Sequence, residues 1–321
     1  WKYIKIRHGK FLSFHSNGKE KEEGLYNENR KDGKWINYYG NGFKKMEEIY
    51  KDGTLISKKT WNENGLPNRW EKDNKSSMFA NFRIFLISLL ISIADAITFY
   101  PKLKKAILSN LAYYPKLVLD VGGHRGQSIS FFLKLDKNTK IFSFEPTRSL
   151  YKYLLEKYSS FPNITIINKG VSSFSGKKRF YENHMDLTSS FEKINYGSNY
   201  LKFKTKILGI DVKRIIKKEY DVDVVTLSGY IKKNISSNID LIKLDVEGHE
   251  YKCLEGLFNV PLNLNIHLIQ LEYHKDDMYQ NAIPFDKIDN LLQINNFKLV
   301  GRFKHAFGDF EDLLYKNISK I

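Results

Sequence analysis

From residue 111 onward, short apolar runs alternate with amphipathic segments. The apolar runs predict strands at residues 116–121, 140–144, 163–168, 240–244 and 265–271. Segments with an apolar position every three or four residues predict helices at 127–135, 148–158, 250–258 and 285–296. This alternation predicts an α/β fold with a mostly parallel sheet and helices on both faces. Ligands of such sheets bind at the carboxyl ends of the strands, which is therefore where candidate chemistry is sought.

Residues 1–70 follow a different pattern, in which aromatic-x-x-Asn-Gly recurs at residues 14–18, 38–42 and 61–65. Asn-Gly tolerates the positive φ angles of a tight two-residue turn, so each copy predicts a β-hairpin. One hairpin cannot bury a face alone, and we therefore expect the copies to stack. The pattern resembles the variant MORN repeats of antitoxin-like proteins. That resemblance implies an interaction module with a protein partner, and the alternative is a β-meander with no partner.

Residues 71–110 connect these two parts. A polar stretch at 71–77 predicts a linker, and a strongly apolar stretch follows at 84–93. Only eleven uncharged residues separate Arg83 from Asp95, whereas a transmembrane helix needs ~20. The segment therefore predicts a helix packed on the following domain. The alternative is a helix within residues 78–105 seated on a membrane surface, where Lys102, Lys104 and Lys105 would face anionic headgroups.

The pattern predicts a repeat module at 1–70, a linker with an apolar helix at 71–110, and one larger domain at 111–321. The composition of the 321 residues, 42% hydrophobic and 27% charged, excludes a disordered chain. The formal charge of +16 comes mainly from Lys and is spread over all three parts, so it does not favour a nucleic-acid partner. Cys253 is the only cysteine, which excludes an intrachain disulfide and fits a reducing, cytoplasmic compartment with possible peripheral membrane attachment. The chain starts at Trp1 rather than Met, so we expect a fragment or a processed product.

The first strand of the larger domain ends in a glycine-rich loop. Glycines in such a loop let the backbone approach a ligand and start a helix there. The spacing Asp-x-Gly-x-x-x-Gly differs from the Gly-x-Gly-x-x-Gly of dinucleotide sites, and the acid suits an ammonium or sulfonium better than a diphosphate. A tight strand–helix turn without a ligand is the alternative. The candidate cofactor residues of this loop are Asp120, Gly122, Gly123, His124, Gly126, Gln127 and Ser128.

The second strand ends in Glu145-Pro146, 25 residues after Asp120. A carboxylate at this strand end can accept hydrogen bonds from both hydroxyls of a ribose. Pro146 ends the strand and sets the following turn. Together with the glycine loop, this acid predicts a nucleoside-containing cofactor.

Charged residues also follow the last two predicted strands. Lys243 and Asp245 share strand parity and point to one face. Burial of charges is costly unless they are paired, so we expect at least one of them to be functional. The candidate catalytic residues at these strand ends are Lys243, Asp245, Glu247, His249, Glu272 and His274.

Residues 120–126, 144–146, 168–172, 225–227 and 241–250 carry, in this order, motifs that resemble the FkbM-type S-adenosylmethionine-dependent methyltransferases. The resemblance covers about residues 111–275, and the family more often has Ala and Asn at positions 123 and 124. It implies a seven-stranded class I methyltransferase sheet, S-adenosylmethionine as cofactor, and O-methylation of a sugar or glycan hydroxyl. By position it assigns Asp120, Gly122 and Gly126 to the methionine end and Glu145 to the ribose. It further places Asn168, Gly170 and Val171 near the adenine and residues 245–249 near the methyl group and acceptor.

Methyl transfer from a sulfonium requires alignment of the acceptor oxygen and often removal of its proton. His249 or His274 is the expected base, because an imidazole titrates near neutrality, with Asp245 and Glu272 orienting it. The alternative is a divalent metal held by Asp245, Glu272 and a histidine. Residues 173–224 are the expected acceptor region, with a lid at 184–191 and an exposed strand or anionic-glycan contact at 202–206.

Two other functions are compatible with the same general fold. A nicotinamide-dependent oxidoreductase is disfavoured by the missing Gly-x-Gly-x-x-Gly pattern. A non-catalytic scaffold with a degenerate methyltransferase fold is disfavoured by the intact Asp120, Glu145 and Asp245.

Overall fold

The computed structural model describes residues 7–65, 67–68, 90, 94–183, 188–208, 215–280, 282–305 and 310–319. The chain divides into two compact units, residues 1–81 and 82–321. Most of the apolar segment at 84–93 lies outside the described residues.

The first unit is a six-stranded antiparallel sheet whose strands neighbour each other in sequence order. The strands are β1 (Gly9–Phe14), β2 (Glu20–Asn27), β3 (Arg30–Tyr38), β4 (Lys44–Lys51), β5 (Thr54–Trp61) and β6 (Pro67–Asn68). The all-β hairpin architecture of this region is thus confirmed. Its assignment to MORN repeats, and with it a protein partner, stays a prediction.

The Asn-Gly turns differ in detail from the prediction of two-residue loops. The amide of His15 donates to the carbonyl of Lys19, and Gly18 donates to the carbonyl of His15, so the first loop has three residues. Such loops place a glycine in the left-handed region, and Gly18 has φ 80°. True two-residue turns join β2 to β3 at Glu28-Asn29 and β4 to β5 at Asp52-Gly53, where both residues have positive φ. The expectation was wrong because Asn-Gly is compatible with both loop lengths.

Trp35 lies on β3 of this small sheet and is fully buried. Its ring lies 4.8 Å from that of Tyr26 and 5.6 Å from that of Phe11. The indole Nε1 donates to the carbonyl of Leu25 at 2.9 Å. A methyl group on Gly24 would overlap with the indole, so the absence of a side chain at Gly24 makes room for Trp35.

The second unit contains a seven-stranded sheet in the order β15-β16-β14-β13-β7-β8-β9. Its pairings are parallel except for those of β16, which runs opposite to its two neighbours. The predicted mostly parallel, seven-stranded α/β fold is therefore confirmed. The strands are β7 (Leu117–Val121), β8 (Lys140–Phe144), β9 (Ile164–Ile167), β13 (Ile239–Leu244), β14 (Ile266–His274), β15 (Phe297–Lys304) and β16 (Phe310–Asn317).

Seven helices of this unit have both bounds among the described residues, and those that cover the sheet do so on both faces. One hydrophobic cluster joins the sheet to α1, α2 and α3, and another joins it to α5, α6 and α7. The helices are α1 (Tyr100–Leu111), α2 (Gln127–Leu135), α3 (Arg148–Lys157), α4 (Asn199–Leu208), α5 (Leu227–Asn234), α6 (Glu250–Phe258) and α7 (Phe285–Ile294).

The α1 helix buries Leu103 and Ile107 against the sheet and leaves Lys102, Lys104 and Lys105 exposed. Within the described residues, no helix combines the length and apolar character needed to cross a membrane. Contact of these lysines with a membrane surface stays a prediction.

A smaller sheet in the order β10-β12-β11 accompanies the large one. Its strands are β10 (Gly170–Val171), β11 (Gly176–Asn183) and β12 (Ile216–Val225). The segment 202–206, expected to be an exposed strand, lies instead in α4. The strand prediction was wrong because Leu201 and Thr205, four residues apart, form the buried stripe of a helix. Of the expected lid, residues 184–187 lie outside the described residues.

Candidate active site

Asp120 stands at the end of β7 and is completely buried. Its Oδ1 accepts a hydrogen bond from Ser128 Oγ at 2.6 Å, and its Oδ2 accepts one from Ser143 Oγ at 2.7 Å. Burial raises the pKa of this carboxyl group. Asp120 therefore ties the loop after β7 to α2 on one side and to β8 on the other.

The glycines of this loop permit close contacts with neighbouring strands. Gly122 has φ 94°, and a methyl group there would overlap with the carbonyl oxygen of Asp245. On Gly123 it would overlap with the Ser143 hydroxyl. Gly126 precedes α2 with φ 79° and has Tyr158 against it. The loop can therefore lie directly against the ends of β8 and β13.

Glu145 is held at the end of β8 by two backbone amides. Its Oε2 accepts from the amide of His124 at 2.8 Å, and its Oε1 accepts from that of Thr147 at 2.7 Å. Burial raises the pKa of Glu145 to about 7. Gln127 lies beside His124, its Nε2 3.4 Å from the ring Nδ1. Each carboxylate oxygen can accept a second hydrogen bond, so this pair of acceptors fits the ribose hydroxyls of an adenosyl cofactor.

Residues 168–171 divide between two environments. The Asn168 side chain donates to the carbonyl oxygens of Glu145 and Pro146 at 2.9 and 3.2 Å, which places it at the ends of β8 and β9. Gly170 and Val171 are buried in β10, where they pair with β12. Only Asn168 of this group therefore belongs to the strand-end surface around Glu145.

Lys243 and Asp245 form an ion pair at the end of β13, with Nζ and Oδ2 2.7 Å apart. Burial by itself lowers the pKa of Lys243, but the charges of Asp245 and Asp120 outweigh it and raise that pKa. Burial raises the pKa of Asp245, but Lys243, Glu272 and His274 together lower it below its ordinary value, so the ionised form is favoured. The amide of Asp245 also donates to the carbonyl of Val121 on β7 at 2.9 Å.

Glu247, Glu272 and His274 form a second group, called here the strand-end cluster. His274 Nε2 lies 3.2 Å from Glu272 Oε2 and 3.5 Å from Glu247 Oε2. Glu247 has φ 56° and accepts a 2.9 Å hydrogen bond from the Tyr279 hydroxyl. Backbone strain of this kind is typical of functional sites.

The carboxylates around His274 control its protonation. Burial lowers the pKa of His274, but Glu272, Asp276 and Glu247 together raise it well above its ordinary value. These neighbouring carboxylates favour the protonated form of the imidazole, which makes His274 a poor candidate for the base. An imidazolium donates a proton and cannot accept one.

His249 lies apart from this cluster. Its side chain is completely buried, with Nδ1 2.6 Å from Glu192 Oε1 and Nε2 3.0 Å from Ser172 Oγ. Burial lowers its pKa. The structure therefore brings together Lys243, Asp245, Glu247, Glu272 and His274 but encloses His249 in a hydrogen-bonded interior.

Sequence reasoning missed three residues that support these groups, namely Glu192, Asp276 and Tyr279. Glu192 lies 57 positions before its partner His249, in a region without a recognisable motif. Asp276 follows His274 by two positions, a spacing that could have marked it as a partner of the imidazole. Tyr279 had no sequence signal.

The segment after β11 is attached to the loop after β13. Ser190 Oγ donates to the carbonyl of Glu247 at 2.7 Å, and the Tyr279 hydroxyl lies 3.1 Å from the carbonyl of Thr188. Thr188 and Ser190 therefore lie beside the strand-end cluster.

Comparisons with known proteins identify relatives of this chain. Residues 120–299, just over half of the chain, match the family model described as the methyltransferase FkbM domain. The 2-O-methyltransferase NoeI of Sinorhizobium fredii is 24% identical over 226 residues, which cover 67% of this chain and 85% of that protein.

Solved structures give weaker similarities. The N-methyltransferase NodS from Bradyrhizobium japonicum WM9 has a TM-score of 0.38 and 9% identity, over 68% of this chain and 94% of that one. The Methanococcus jannaschii fibrillarin pre-rRNA processing protein has a TM-score of 0.39 and 12% identity, over 90% of this chain and 96% of that one.

Proposed function

Because the chain belongs to the FkbM methyltransferase family and is an S-adenosylmethionine-dependent methyltransferase, we propose that it methylates a hydroxyl group of a sugar or glycan. The observation that carries this proposal is the contact between Gly122 and Asp245. It joins the cofactor loop to the acidic strand ends, where an acceptor would meet the methyl group. The 2-O-methyltransferase among the relatives supports an oxygen acceptor.

The cofactor-binding surface extends from the loop after β7 to the end of β8. Glu145 would accept hydrogen bonds from the two ribose hydroxyls, and the loop 122–126 would hold the methionine part. Asp120 acts as a positioning residue, because it is completely buried and its two oxygens hold Ser128 and Ser143 in place. Asn168 holds the end of β8 in place through its bonds to two backbone carbonyls. When bound, S-adenosylmethionine supplies a methyl group on a positively charged sulfur.

The acceptor hydroxyl is oriented by the strand ends of β13 and β14. His249 is enclosed and both its ring nitrogens are engaged, so it serves as a structural residue. Asp245, which is about one-third exposed and ionised, is the open carboxylate nearest the cofactor loop. We assign to Asp245 the task of receiving the hydroxyl proton, because it is a partly exposed carboxylate beside the loop after β7.

The proton and methyl transfers balance without an external reagent. The cofactor would give its methyl group to the acceptor oxygen and would become S-adenosylhomocysteine, a neutral thioether. The proton of the hydroxyl would pass to the Asp245 carboxylate. Lys243 keeps Asp245 ionised for this purpose through their 2.7 Å ion pair.

Calorimetry and product analysis test this function. We expect the full chain to bind S-adenosylmethionine and S-adenosylhomocysteine but not NAD, which would mark the rival oxidoreductase. A panel of oligosaccharides incubated with methyl-labelled cofactor should show label on a hydroxyl oxygen by mass spectrometry. Label found only on nitrogen or carbon, or on no member of a broad sugar panel, would overturn the proposed acceptor class but not the family assignment.

A further inference from the structure

We propose that Glu247, Glu272 and His274 form a binding site for one divalent metal ion of the Mn²⁺ type. One ligand atom from each of the three side chains lies within 4.8 Å of the other two. All three side chains are largely buried, with 17%, 11% and 10% exposure. The three therefore converge on a small space that solvent reaches only in part.

The distances within the cluster match those of ligands around a common ion. Two atoms each about 2.1 Å from one ion lie ~3.0 Å apart in octahedral geometry and ~3.4 Å apart in tetrahedral geometry. His274 Nε2 lies 3.2 Å from Glu272 Oε2 and 3.5 Å from Glu247 Oε2. These separations are long for hydrogen bonds of a charged pair and close to the edges of a coordination polyhedron.

The second ring nitrogen of His274 supplies an independent observation. His274 Nδ1 and Asp276 Oδ2 are buried and pair with each other at 3.5 Å, and within the described residues neither atom has a closer hydrogen-bond partner. The other oxygen of Asp276 is anchored by the amide of Met278 at 2.9 Å. A buried carboxylate behind a ligating imidazole is the usual arrangement that orients such a ligand.

The charges of the two ligand carboxylates are not neutralised by the nearby side chains described below. Glu247 accepts a hydrogen bond from Tyr279, which leaves its remaining lone pairs for an ion. Lys243, the ammonium at this strand end, is paired with Asp245 and does not neutralise the cluster. A cation would therefore compensate two buried carboxylates that share one imidazole.

A neighbouring trio, Glu272, His305 and Asp312, also brings ligand atoms within the same 4.8 Å limit. His305 uses both ring nitrogens, 3.1 Å from Asp95 Oδ2 and 3.0 Å from Asp312 Oδ1. Its ring stacks on Phe99 at 4.0 Å. This trio is already a satisfied hydrogen-bond network, so the ion belongs to the cluster with His274.

The ligand set indicates the type of ion and its role. Two carboxylates favour Mg²⁺ or Mn²⁺, and the imidazole shifts the preference toward Mn²⁺ or Zn²⁺. Three protein ligands leave coordination positions open for oxygen atoms of the acceptor, whose hydroxyl would become more acidic there. The role in acceptor binding rests on the proposed function, whereas binding of the ion itself does not.

Titration of the metal-stripped full chain with MnCl₂, followed by the electron paramagnetic resonance signal of free Mn²⁺, tests the site. We expect one saturable Mn²⁺ per chain, and at least tenfold weaker binding in Glu272→Gln and His274→Gln. His267→Gln, on the same strand β14 but at its opposite end, and Glu255→Gln on α6 are matched controls that should bind as the parent does. Tyr279→Phe, a milder change, should weaken binding without loss of the fold.

Absence of saturable Mn²⁺ binding by the folded parent chain, or equal binding by the parent and the two folded ligand variants, would overturn the proposal. Circular dichroism confirms folding, and Tyr279→Phe replaces any ligand variant that fails to fold. S-adenosylmethionine binding, measured in the same preparations, reports on the proposed function separately. If the chain binds S-adenosylmethionine but not Mn²⁺, the proposed metal site is wrong and the proposed function stands.

Discussion

The carbonyl oxygen of Asp245 packs directly against Gly122, leaving no space for a side chain. This contact joins the ends of β7 and β13, and the amide of Asp245 reinforces it by donating to Val121. The loop after β7 and the acidic end of β13 are therefore in direct contact.

Gly122→Ala should impair both stability and cofactor binding. The new methyl group would meet backbone rather than a movable side chain, and φ 94° is unfavourable for alanine. We expect a loss of more than about 2 kcal/mol in the free energy of unfolding and a large drop in S-adenosylmethionine affinity. Chemical denaturation and calorimetry measure the two effects. Gly197→Ala, at an exposed position without positive φ, is the control, and equal behaviour of the two variants would contradict the role of this contact.

Glu145 should make cofactor binding depend on pH. Its pKa is about 7 in the free protein, and the ionised form is the better acceptor for two ribose hydroxyls. S-adenosylmethionine affinity should therefore fall as the pH drops through about 7. Glu145→Gln should bind about 10-fold or more weakly, because hydrogen bonds to a charged group contribute about 1.5–3 kcal/mol, and should lose this pH dependence. Calorimetry between pH 5.5 and 8.5 checks both, with the exposed Glu156→Gln as control. A pH profile shared by Glu145→Gln and the parent would assign the dependence to another group.

His305 should contribute stability that disappears in alkaline solution. Burial lowers its pKa, but Asp312 and Asp95 outweigh this and raise the pKa to about 9. The contribution is complete below the unfolded pKa of about 6.5 and is lost as the pH rises through about 9. This difference corresponds to at most about 3 kcal/mol. Urea denaturation at pH 6 and 9.5 should show a larger loss for the parent than for His305→Gln, and His267→Gln should behave as the parent.

His249→Ala should affect stability rather than chemistry. Removal of the imidazole leaves Glu192 and Ser172 without their buried partner, which costs about 1–3 kcal/mol. Methyl transfer per folded molecule should stay close to that of the parent. His274→Gln should instead lose transfer while it remains folded. A large fall in kcat for His249→Ala at unchanged stability would restore His249 as the base.

Gly24→Ala should destabilise the N-terminal sheet. The added methyl group would overlap with the buried indole of Trp35, and overpacking of this kind costs about 1–3 kcal/mol. All four tryptophans occur in residues 1–70, so tryptophan fluorescence during denaturation reports on this region alone. Gly40→Ala is the control, because a Cβ there would make only an ordinary contact, with Asn17 Nδ2 at 3.8 Å. Identical fluorescence transitions for both variants would exclude the steric effect.

The seven-stranded fold was largely predictable from sequence because its signals are local. The bounds of β8, α2 and α6 agree with the pattern of apolar positions. The antiparallel β16 was not predicted, since it lies between β14 and β15 and its place in the sheet depends on distant pairing. The α4 helix was also missed, because its alternating Lys and apolar residues fit a strand as well as a helix.

In the candidate site, too, local features were predictable from sequence and long-range contacts were not. The chain by itself determined that Asp120, Glu145 and Asp245 stand at strand ends, because strand periodicity and turn chemistry act over a few neighbouring residues. Only the tertiary structure decided that His249 pairs with Glu192 and is enclosed, and that His274 joins Glu247 and Glu272. Those contacts set burial, charge and protonation across segments up to 57 residues apart, and no local pattern encodes which distant side chains will share one buried space.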